Sequence, residues 1–524
     1  MESGERDSGV RLAELLAAFS LATDLGLGQP MEHVLRSWLI STRLGDHVGL
    51  EPEGRGDLYY VATLAWVGCV ADTPDLAAWF GDDIAFRRDS RQVDLAGLPM
   101  LGFMLRHVGA GSPAMHRFRL AVNLVVTGGK GVERVLLSHC LTTSRMAGRL
   151  GLGADVCDQL QQAFTRWDGN GVPGDVSGEQ ISFPMRLFHL ADVVEVFHRA
   201  GGADAAVEVA RARRGKQFDP AVVDAFCAVA PAVLGDPSAE PDWHALIAEE
   251  PGLQRRLREQ ELDAALETVA DFTDLRSPAR AGHSRAVADL ASRAAVDCGL
   301  SEADVAHVRR AALLHDIGMH AIPATILDKP GPLSASESER MRMHTYYAER
   351  MLARPPALAQ LGAIASLAHE RCDGSGYHRG LSGAAIPMSA RLLAAACSYR
   401  AMVEPRAHRP AMAAKQATAE LGAEVRAGRL DADAVHAVLA AAGQSHGKRR
   451  TGPAGLTPRE IEVLALIARG ASTRQVARRL TITPKTAETH IERIYAKTNA
   501  STRSTATLFA IQHGLLDSLE PLDL

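Results

Sequence analysis

The C-terminal segment, residues 456–524, carries the pattern that most restricts the fold of this chain: short helices whose starts are marked by capping residues. Thr457, Pro458 and Glu460 form the pattern of a capping box with proline at the first helical position. Apolar residues follow at helical spacing as far as Ile467, and Gly470 comes soon after. The pattern predicts a short amphipathic helix that ends at the glycine.

Two further helix starts follow at short intervals. Ser472 and Thr483 are candidate N-caps, and Pro484 opens the segment after the second of them. In that segment the apolar residues fall on one side, and the other side is predicted to carry Lys485, Thr486, Glu488, Thr489, Glu492, Arg493 and Lys497. A short helix, a tight turn and a helix with a polar outer face form the geometry that enters a DNA major groove. A fourth apolar helix, 502–512, is expected to brace or dimerise the unit.

The charge of the chain is divided unevenly between this segment and the rest. From Lys448 onward there are twelve Lys and Arg against seven Asp and Glu, whereas the preceding residues hold 45 basic and 55 acidic side chains. A basic tail on an acidic body is expected when only the tail meets phosphates. Residues 445–455 are Gly-rich and polar and are predicted to form a flexible linker.

The segment 456–516 resembles the output domain of the LuxR/FixJ family of transcriptional regulators over its whole length. The resemblance implies that the helix beginning at Pro484 reads double-stranded DNA. It implies that Glu488, Thr489 and Glu492 face base edges and that Lys485, Arg493 and Lys497 approach phosphates. The alternative is a helical interaction module with a solvated basic face, but capping, periodicity and turn all agree with the DNA-binding interpretation.

The middle of the chain carries histidines and an adjacent His-Asp pair within helical patterns. Such a set indicates a metal site inside a helical bundle, and imidazole with carboxylate suits Fe, Mn or Zn better than calcium. These residues are His283, His315, Asp316, His344 and His369. No other cofactor is predicted.

Residues 271–402 resemble the HD-GYP family of cyclic di-GMP phosphodiesterases. The resemblance implies that these five residues are metal ligands or site residues and that His315 and Asp316 are the candidate catalytic residues. It also makes a cyclic dinucleotide a candidate ligand, with another small molecule as the alternative. It assigns the ligand loop to Asp373, Gly374, Gly376 and Tyr377.

Four positions depart from the pattern of that family. Ala368 replaces a histidine, Met319 replaces a lysine, and His378 replaces the proline of GYP. Cys397 stands where the family has a metal-binding aspartate. We therefore expect impaired catalysis, through either a dead site or a site that binds metal or nucleotide without turnover. The alternative is a metal-dependent phosphohydrolase with a DNA-binding tail.

The front of the chain repeats the middle in a more altered form. Residues 166–187 align with 371–392 at a shift of 205, and His33 aligns with His283 at a shift of 250. The difference predicts an insertion near 69–135. The repeat keeps His33, His139 and Asp192. The His-Asp pair becomes Ala65-Trp66 and His369 becomes Phe164, so we expect a structural or ligand-sensing first copy.

These patterns together predict a mainly α chain with two HD-type helical bundles in tandem and a C-terminal four-helix helix-turn-helix domain. The predicted ranges are 1–240 for the first copy, 241–270 for a linker and helix, 271–444 for the second copy, 445–455 for the flexible linker and 456–524 for the DNA-binding domain. A homodimer is expected, because a helix-turn-helix pairs with a second copy on a two-fold operator. No run of about 18 apolar residues and no signal-peptide pattern occurs, so no membrane partner and a cytoplasmic location are expected.

Overall fold

The computed structural model describes residues 7–111, 113–126, 130–236, 239, 241–444, 453–468, 470–498, 500, 502–513 and 515. It divides into two compact units, Met1–Gln444 and Ser445–Leu524. Most of the predicted linker 445–455 lies outside the described residues. No helix among those described is long and apolar enough to cross a membrane.

The first half of the larger unit, defined here as residues 7–249, is helical apart from one short strand. Its strand β1 (Asp7–Arg11) pairs in antiparallel fashion with β2 (Arg256–Arg258). The helices are α1 (Leu12–Gly26), α2 (His33–Val48), α3 (Pro52–Leu64), α4 (Thr73–Phe80), α5 (Asp83–Ser90), α6 (Gly97–His107), α7 (Ala114–Val126), α8 (Lys130–Arg149), α9 (Ala154–Leu160), α10 (Phe183–Ala212), α11 (Pro220–Leu234) and α12 (Trp243–Glu249). The helices α4 to α7 lie within the predicted insertion.

The second half, defined as residues 256–444, is a further set of packed helices. These are α13 (Glu259–Asp274), α14 (His283–Asp297), α15 (Glu302–Leu314), α16 (Ala324–Leu327), α17 (Ala335–Leu352), α18 (Ala359–Ala365), α19 (Met388–Val403), α20 (Ala414–Arg426) and α21 (Ala432–Ala441). The mainly α fold class is thereby confirmed.

Residues that the internal alignment pairs have matching environments in the two halves. The Asp24 carboxylate accepts the backbone N–H of Val34, and the Asp274 carboxylate accepts that of Ser284. A Cβ added to Gly68 or to Gly318 would collide with the backbone of His139 or His344, respectively. These contacts agree with the predicted repeat.

The two halves share one apolar core that runs from α1 to α21, so the structure packs both predicted copies into a single unit. A buried ion pair adds to this contact. Arg276 of the second half donates to Oδ2 of Asp83 at 3.1 Å, and Oδ1 of Asp83 accepts the backbone N–H of Ala324 at 2.9 Å. Asp83 also pairs with Arg87 of its own half, so a buried cluster of three charged side chains spans the two halves.

The smaller unit contains the four predicted helices, α22 (Pro458–Ala468), α23 (Thr473–Arg479), α24 (Pro484–Thr498) and α25 (Arg503–Gln512). The capping box is present, because Thr457 N–H donates to Glu460 at 2.8 Å and Glu460 N–H donates to Thr457 Oγ1 at 3.2 Å. Ser472 and Thr483 cap α23 and α24 as predicted. Ala487 and Ile494 of α24 face the core of this unit.

Candidate functional site

The predicted metal ligands come together in the second half. His283 begins α14, His315 and Asp316 follow α15, His344 lies on α17, and His369 lies in the loop after α18. Two groups of three have ligand atoms within 4.8 Å of one another: His283, His315 and Cys397, and Asp316, His344 and His369. All five sequence-predicted ligands therefore belong to one cluster, with Cys397 as a sixth member.

Asp316 lies at the centre of the cluster. Its Oδ2 is 3.1 Å from His315 Nε2 and 3.7 Å from His283 Nε2, and its Oδ1 is 3.8 Å from His344 Nε2. The outer nitrogens of two of these histidines are fixed by backbone carbonyls: His315 Nδ1 bonds Ala312 O, and His344 Nδ1 bonds Met341 O. Such contacts orient the Nε2 atoms towards the carboxylate.

Burial sets the protonation state of these histidines. It lowers the pKa of His344 to about 4 and holds the pKa of His315 and His369 well below the ordinary value. The pKa of His283 is also well below its ordinary value, through burial and then the positive charge of Arg280 and Arg406. Neutral imidazole is the form that ligates a metal, so at neutral pH these rings are ready to do so.

Two buried atoms of the cluster support a metal site. Asp316 Oδ1 and His344 Nε2 are fully buried, and neither has a hydrogen-bond partner among the described residues. A buried polar atom without a partner is costly, and these two face each other at 3.8 Å. A cation between them would satisfy both, and a set of imidazole nitrogens, carboxylate oxygens and a thiol suits Fe, Mn or Zn. The residues therefore fit a divalent metal.

Two side chains of this cluster, a thiol and a guanidinium, reduce its negative charge below that of a site built from carboxylates. Cys397 Sγ lies 3.7 Å from His315 Nε2, and burial raises the pKa of its thiol, so the side chain is neutral. Arg280 donates a hydrogen bond to Oδ2 of Asp316 and places a positive charge next to that oxygen.

The predicted ligand loop is ordered around a buried glutamate. Glu370 accepts the backbone N–H groups of Arg379, Gly380 and Leu381 at 2.8–3.2 Å. Tyr377 stacks on the ring of His369, with 5.1 Å between ring centroids. The loop therefore covers the metal-ligand cluster directly.

The remaining departures from the family pattern have local roles. His378, in the place of the proline, bonds Glu349 at 2.7 Å and Thr345 at 3.1 Å and ties the loop to α17. Met319, in the place of the lysine, is buried beside Ile322 and Ile326. Asp373, the first residue of the predicted ligand loop, accepts the backbone N–H of Ser375 at 2.9 Å and so stabilises the turn.

Sequence reasoning missed the charged side chains that surround the cluster. Glu404 accepts from His283 Nδ1 at 2.6 Å, and Arg406 lies 3.3 Å from the same nitrogen. Arg280 lies only three residues before His283, where the sequence shows no pattern beyond a turn. These positions carry no motif, so only packing could reveal them.

The matching place in the first half has no comparable metal-ligand group among the residues that the structure describes. Asp192 accepts from Trp66 Nε1 at 2.8 Å, lies 3.2 Å from His33 Nε2, and pairs with Arg91. His139 forms its hydrogen bonds with Asp72 and with the Ala65 carbonyl. The retained aspartate of the first half is therefore bound within that half and does not complete the cluster of the second.

In the smaller unit, helix α24 exposes most of its predicted DNA-contacting side chains. These are Lys485, Thr486, Glu488, Thr489, Glu492 and Arg493. Lys497 differs, because its Nζ pairs with the buried Glu460 at 2.8 Å and donates to Gly455 O at 2.9 Å. It therefore links α24 to the capping box of α22.

Two family models match the chain. The model described as HD domain matches residues 267–434, and the model described as bacterial regulatory proteins, luxR family, matches residues 454–510. The two matches cover the metal-ligand cluster and helices α22 to α25.

Curated relatives match the larger unit. The 3'3'-cGAMP-specific phosphodiesterase 3 of Vibrio cholerae is 28% identical over 413 residues, which cover 78% of this chain and 90% of the relative. A cyclic di-GMP phosphodiesterase of Thermotoga maritima is 42% identical over 28% of this chain and 40% of its own length. This chain thus spans most of the first relative and less than half of the second.

A crystal structure of a cyclic GMP-AMP-specific phosphodiesterase of V. cholerae superposes with a TM-score of 0.59 at 24% identity. The superposition covers 83% of this chain and 98% of the other. At that identity the likeness is one of fold.

Proposed function

We propose that this chain, which carries an HD domain followed by a C-terminal LuxR-type domain, is a transcriptional regulator that binds double-stranded DNA through α24 and senses a ligand through its larger unit. The observation that carries the proposal is the exposed polar face of α24, presented by a capped helix-turn-helix. Lys485 and Arg493 are exposed cations suited to phosphates, whereas Lys497, which is also exposed, is paired with Glu460.

The DNA-binding proposal is tested by removing those two cations from the full chain. We expect the variant Lys485→Ala/Arg493→Ala to bind genomic DNA fragments at least tenfold more weakly. The slope of log K against log salt should fall by about two, because about 0.9 counterions are released per phosphate contact. Fluorescence anisotropy across a salt series measures both quantities.

The matched control is Lys415→Ala, which removes an exposed cation from the larger unit. It should leave affinity and salt slope unchanged. Equal binding by the double variant and the control would refute a role for α24 at the DNA.

For the HD domain we propose a divalent metal held by Asp316, His344 and His369, with His283 and His315 beside it. The unpartnered Asp316 Oδ1 and His344 Nε2 support this assignment. When bound, such a metal supplies Lewis-acid activation of a coordinated water or phosphate oxygen. Burial keeps the histidines neutral, and Glu404 orients His283 through its Nδ1.

We further propose that this site binds a cyclic dinucleotide without efficient turnover. The relatives named above are phosphodiesterases of 3'3'-cGAMP and cyclic di-GMP by their names, which supplies the ligand class. Cys397 stands where the family has a metal-binding aspartate, and Arg280 contacts Asp316 Oδ2, so both residues alter the ligand set that two metals would need. The alternative, a phosphohydrolase, is favoured by the two adjacent groups of three ligand atoms.

One set of variants separates these two functions. We expect the purified wild type to hold metal by elemental analysis and Asp316→Asn to lose it. With Mn²⁺ or Fe²⁺, both should hydrolyse 3'3'-cGAMP and cyclic di-GMP at equal, negligible rates. Cys397→Asp should gain activity, whereas the control Cys372→Asp, at a half-buried thiol outside the cluster, should not. Turnover by the wild type that Asp316→Asn abolishes would establish the phosphohydrolase instead.

We also propose a homodimer formed through the inserted helices α6 and α7 and the adjoining helix α8. Each of these three helices exposes apolar residues at helical spacing, namely Leu98, Leu101, Leu105, Met115, Phe118, Val122, Val126, Leu137 and Leu141. Exposed apolar surface on this scale marks an interaction site. The occupant that fits is a second copy of this chain, since one chain supplies one helix-turn-helix and a two-fold operator requires two.

A further inference from the structure

The first half contains a cavity of about 440 Å³ between the inserted helices and the rest of the bundle. Clefts and cavities of roughly 300–1,000 Å³ are the size of ligand pockets. Its walls are mainly apolar and include Trp66, Phe80, Phe86, Phe103, Met104 and Phe164. The cavity is therefore large enough, and apolar enough, for a small organic molecule.

The cavity occupies the place where the second half holds its metal-ligand cluster. Trp66 aligns with Asp316 and Phe164 aligns with His369, so aromatic rings stand where the ligands stand in the repeat. The insertion supplies the opposite wall, with Phe86 on α5 and Met104 on α6. Both changes, the lost ligands and the added helices, therefore shape the same cavity.

The buried arginines of the wall are each already paired. Arg91 pairs with Asp192 and lies over the Trp66 ring at 4.0 Å. Arg87 pairs with Asp83 at 2.5 Å, and Arg166 pairs with Asp94 at 2.5 Å. Among the buried arginines that the structure describes here, none is left to neutralise a phosphate.

We propose that this cavity is a second ligand site, specific for a neutral, ring-bearing apolar molecule and not for a cyclic dinucleotide. Aromatic walls bind such a ligand through ring contacts and apolar burial. The paired charges exclude anions, because a buried phosphate without a counter-charge is strongly disfavoured. This cavity is lined by none of the residues of the metal-ligand cluster, and ligand binding in it does not depend on DNA binding.

The test uses benzophenone, a neutral two-ring ketone that forms covalent adducts with nearby C–H bonds on irradiation and reacts readily with methionine. Met104 is 6% exposed on the cavity wall, whereas Met343 is 37% exposed on α17 of the second half, outside the proposed dimer interface. We expect irradiation of the full-length protein to label Met104 at least tenfold more than Met343, at a yield that saturates with benzophenone concentration. Peptide mass spectrometry measures both adducts. Stronger labelling of Met343, the more exposed residue, would overturn the proposal.

A matched pair of variants on α8 tests the cavity itself. Val135→Trp places an indole in the cavity, whereas Arg145→Trp adds the same side chain at an exposed position of the same helix outside the apolar stripe. The first should reduce the Met104 adduct at least tenfold and the second should not. If Val135→Trp fails to fold, the ratio of the Met104 adduct to the Met343 adduct in the wild type decides alone.

Competition identifies the ligand chemistry. A hundredfold excess of cyclic di-GMP over benzophenone should leave the Met104 adduct unchanged. Loss of the adduct under that excess would show that the cavity takes a dinucleotide and would overturn the assignment to neutral ligands.

Discussion

The buried histidines of the two halves differ in charge because their neighbours differ. Burial lowers the pKa of His33, but the carboxylates of Glu195 and Asp192 raise it by a larger amount, so that the pKa is about 10. His344 has a backbone carbonyl on one nitrogen and no hydrogen-bond partner on the other among the described residues, and burial lowers its pKa to about 4. A histidine pattern in the sequence cannot distinguish these cases, since the distinction depends on which distant carboxylates reach the ring.

We expect this protonated histidine to make the larger unit less stable at alkaline pH. Because the folded-state pKa of His33 is above the ordinary 6.5, its stabilising effect is complete below pH 6.5 and is lost as the pH rises towards 10. The slope from this group is at most about 1.4 kcal/mol per pH unit. Urea unfolding of wild type and His33→Gln between pH 7 and 9.5 should show a shallower decline for the variant.

The control for that measurement is His189→Gln. Burial lowers the pKa of His189 to about 4, so this side chain is neutral throughout the range and its removal should leave the slope unchanged. Identical slopes for wild type and His33→Gln would contradict a protonated His33.

At the scale of elements, the polar face of α24 contains residues with two different roles. Some are exposed to solvent, and one stabilises the packing of the smaller unit. The periodicity predicts a polar outer face, and the exposure of Lys485 and Arg493 agrees with it. Lys497 belongs to the same face in the sequence, but the structure pairs it with Glu460 of α22. That contact joins residues 37 apart and depends on how the two helices pack.

We expect Lys497→Met to destabilise the smaller unit, because it leaves the buried Glu460 carboxylate without its cation. The loss should be on the order of 1 kcal/mol, since the pair is partly exposed. Calorimetry of the full chain should show a lower unfolding temperature for that unit. Lys485→Met, the same change at an exposed position of α24, should leave it unaltered; an equal fall in both variants would contradict the structural role of Lys497.

At the scale of the whole molecule, the inserted helices form two surfaces with different properties. Their inner side closes the aromatic cavity, and their outer side exposes the apolar stripes. The repeat predicts where the insertion lies. It does not predict that both the inner and the outer side of the insertion carry apolar residues. The proposed dimer depends on the outer side alone.

We expect Met115→Glu/Phe118→Glu to convert a dimer into a monomer, because two charges at the interface would be desolvated without a counter-charge. Analytical ultracentrifugation at micromolar concentration measures the change, and affinity for a two-fold operator should fall with it. Val296→Glu alters an exposed apolar residue of the second half and serves as the control. A wild type that sediments as a monomer would contradict the proposed interface.

The sequence alone determined the mainly α fold, the capped helices of the smaller unit, and the set of histidines around Asp316. The first two follow from short-range rules, because caps and helical periodicity act within a few turns of the chain, whereas the histidine set follows from the resemblance to the HD-GYP family. Tertiary structure alone decided that Arg280 contacts Asp316, that Lys497 pairs with Glu460, and that rings from the repeat and the insertion enclose a cavity. Each of these joins side chains whose meeting depends on how whole helices pack, and no local pattern encodes that.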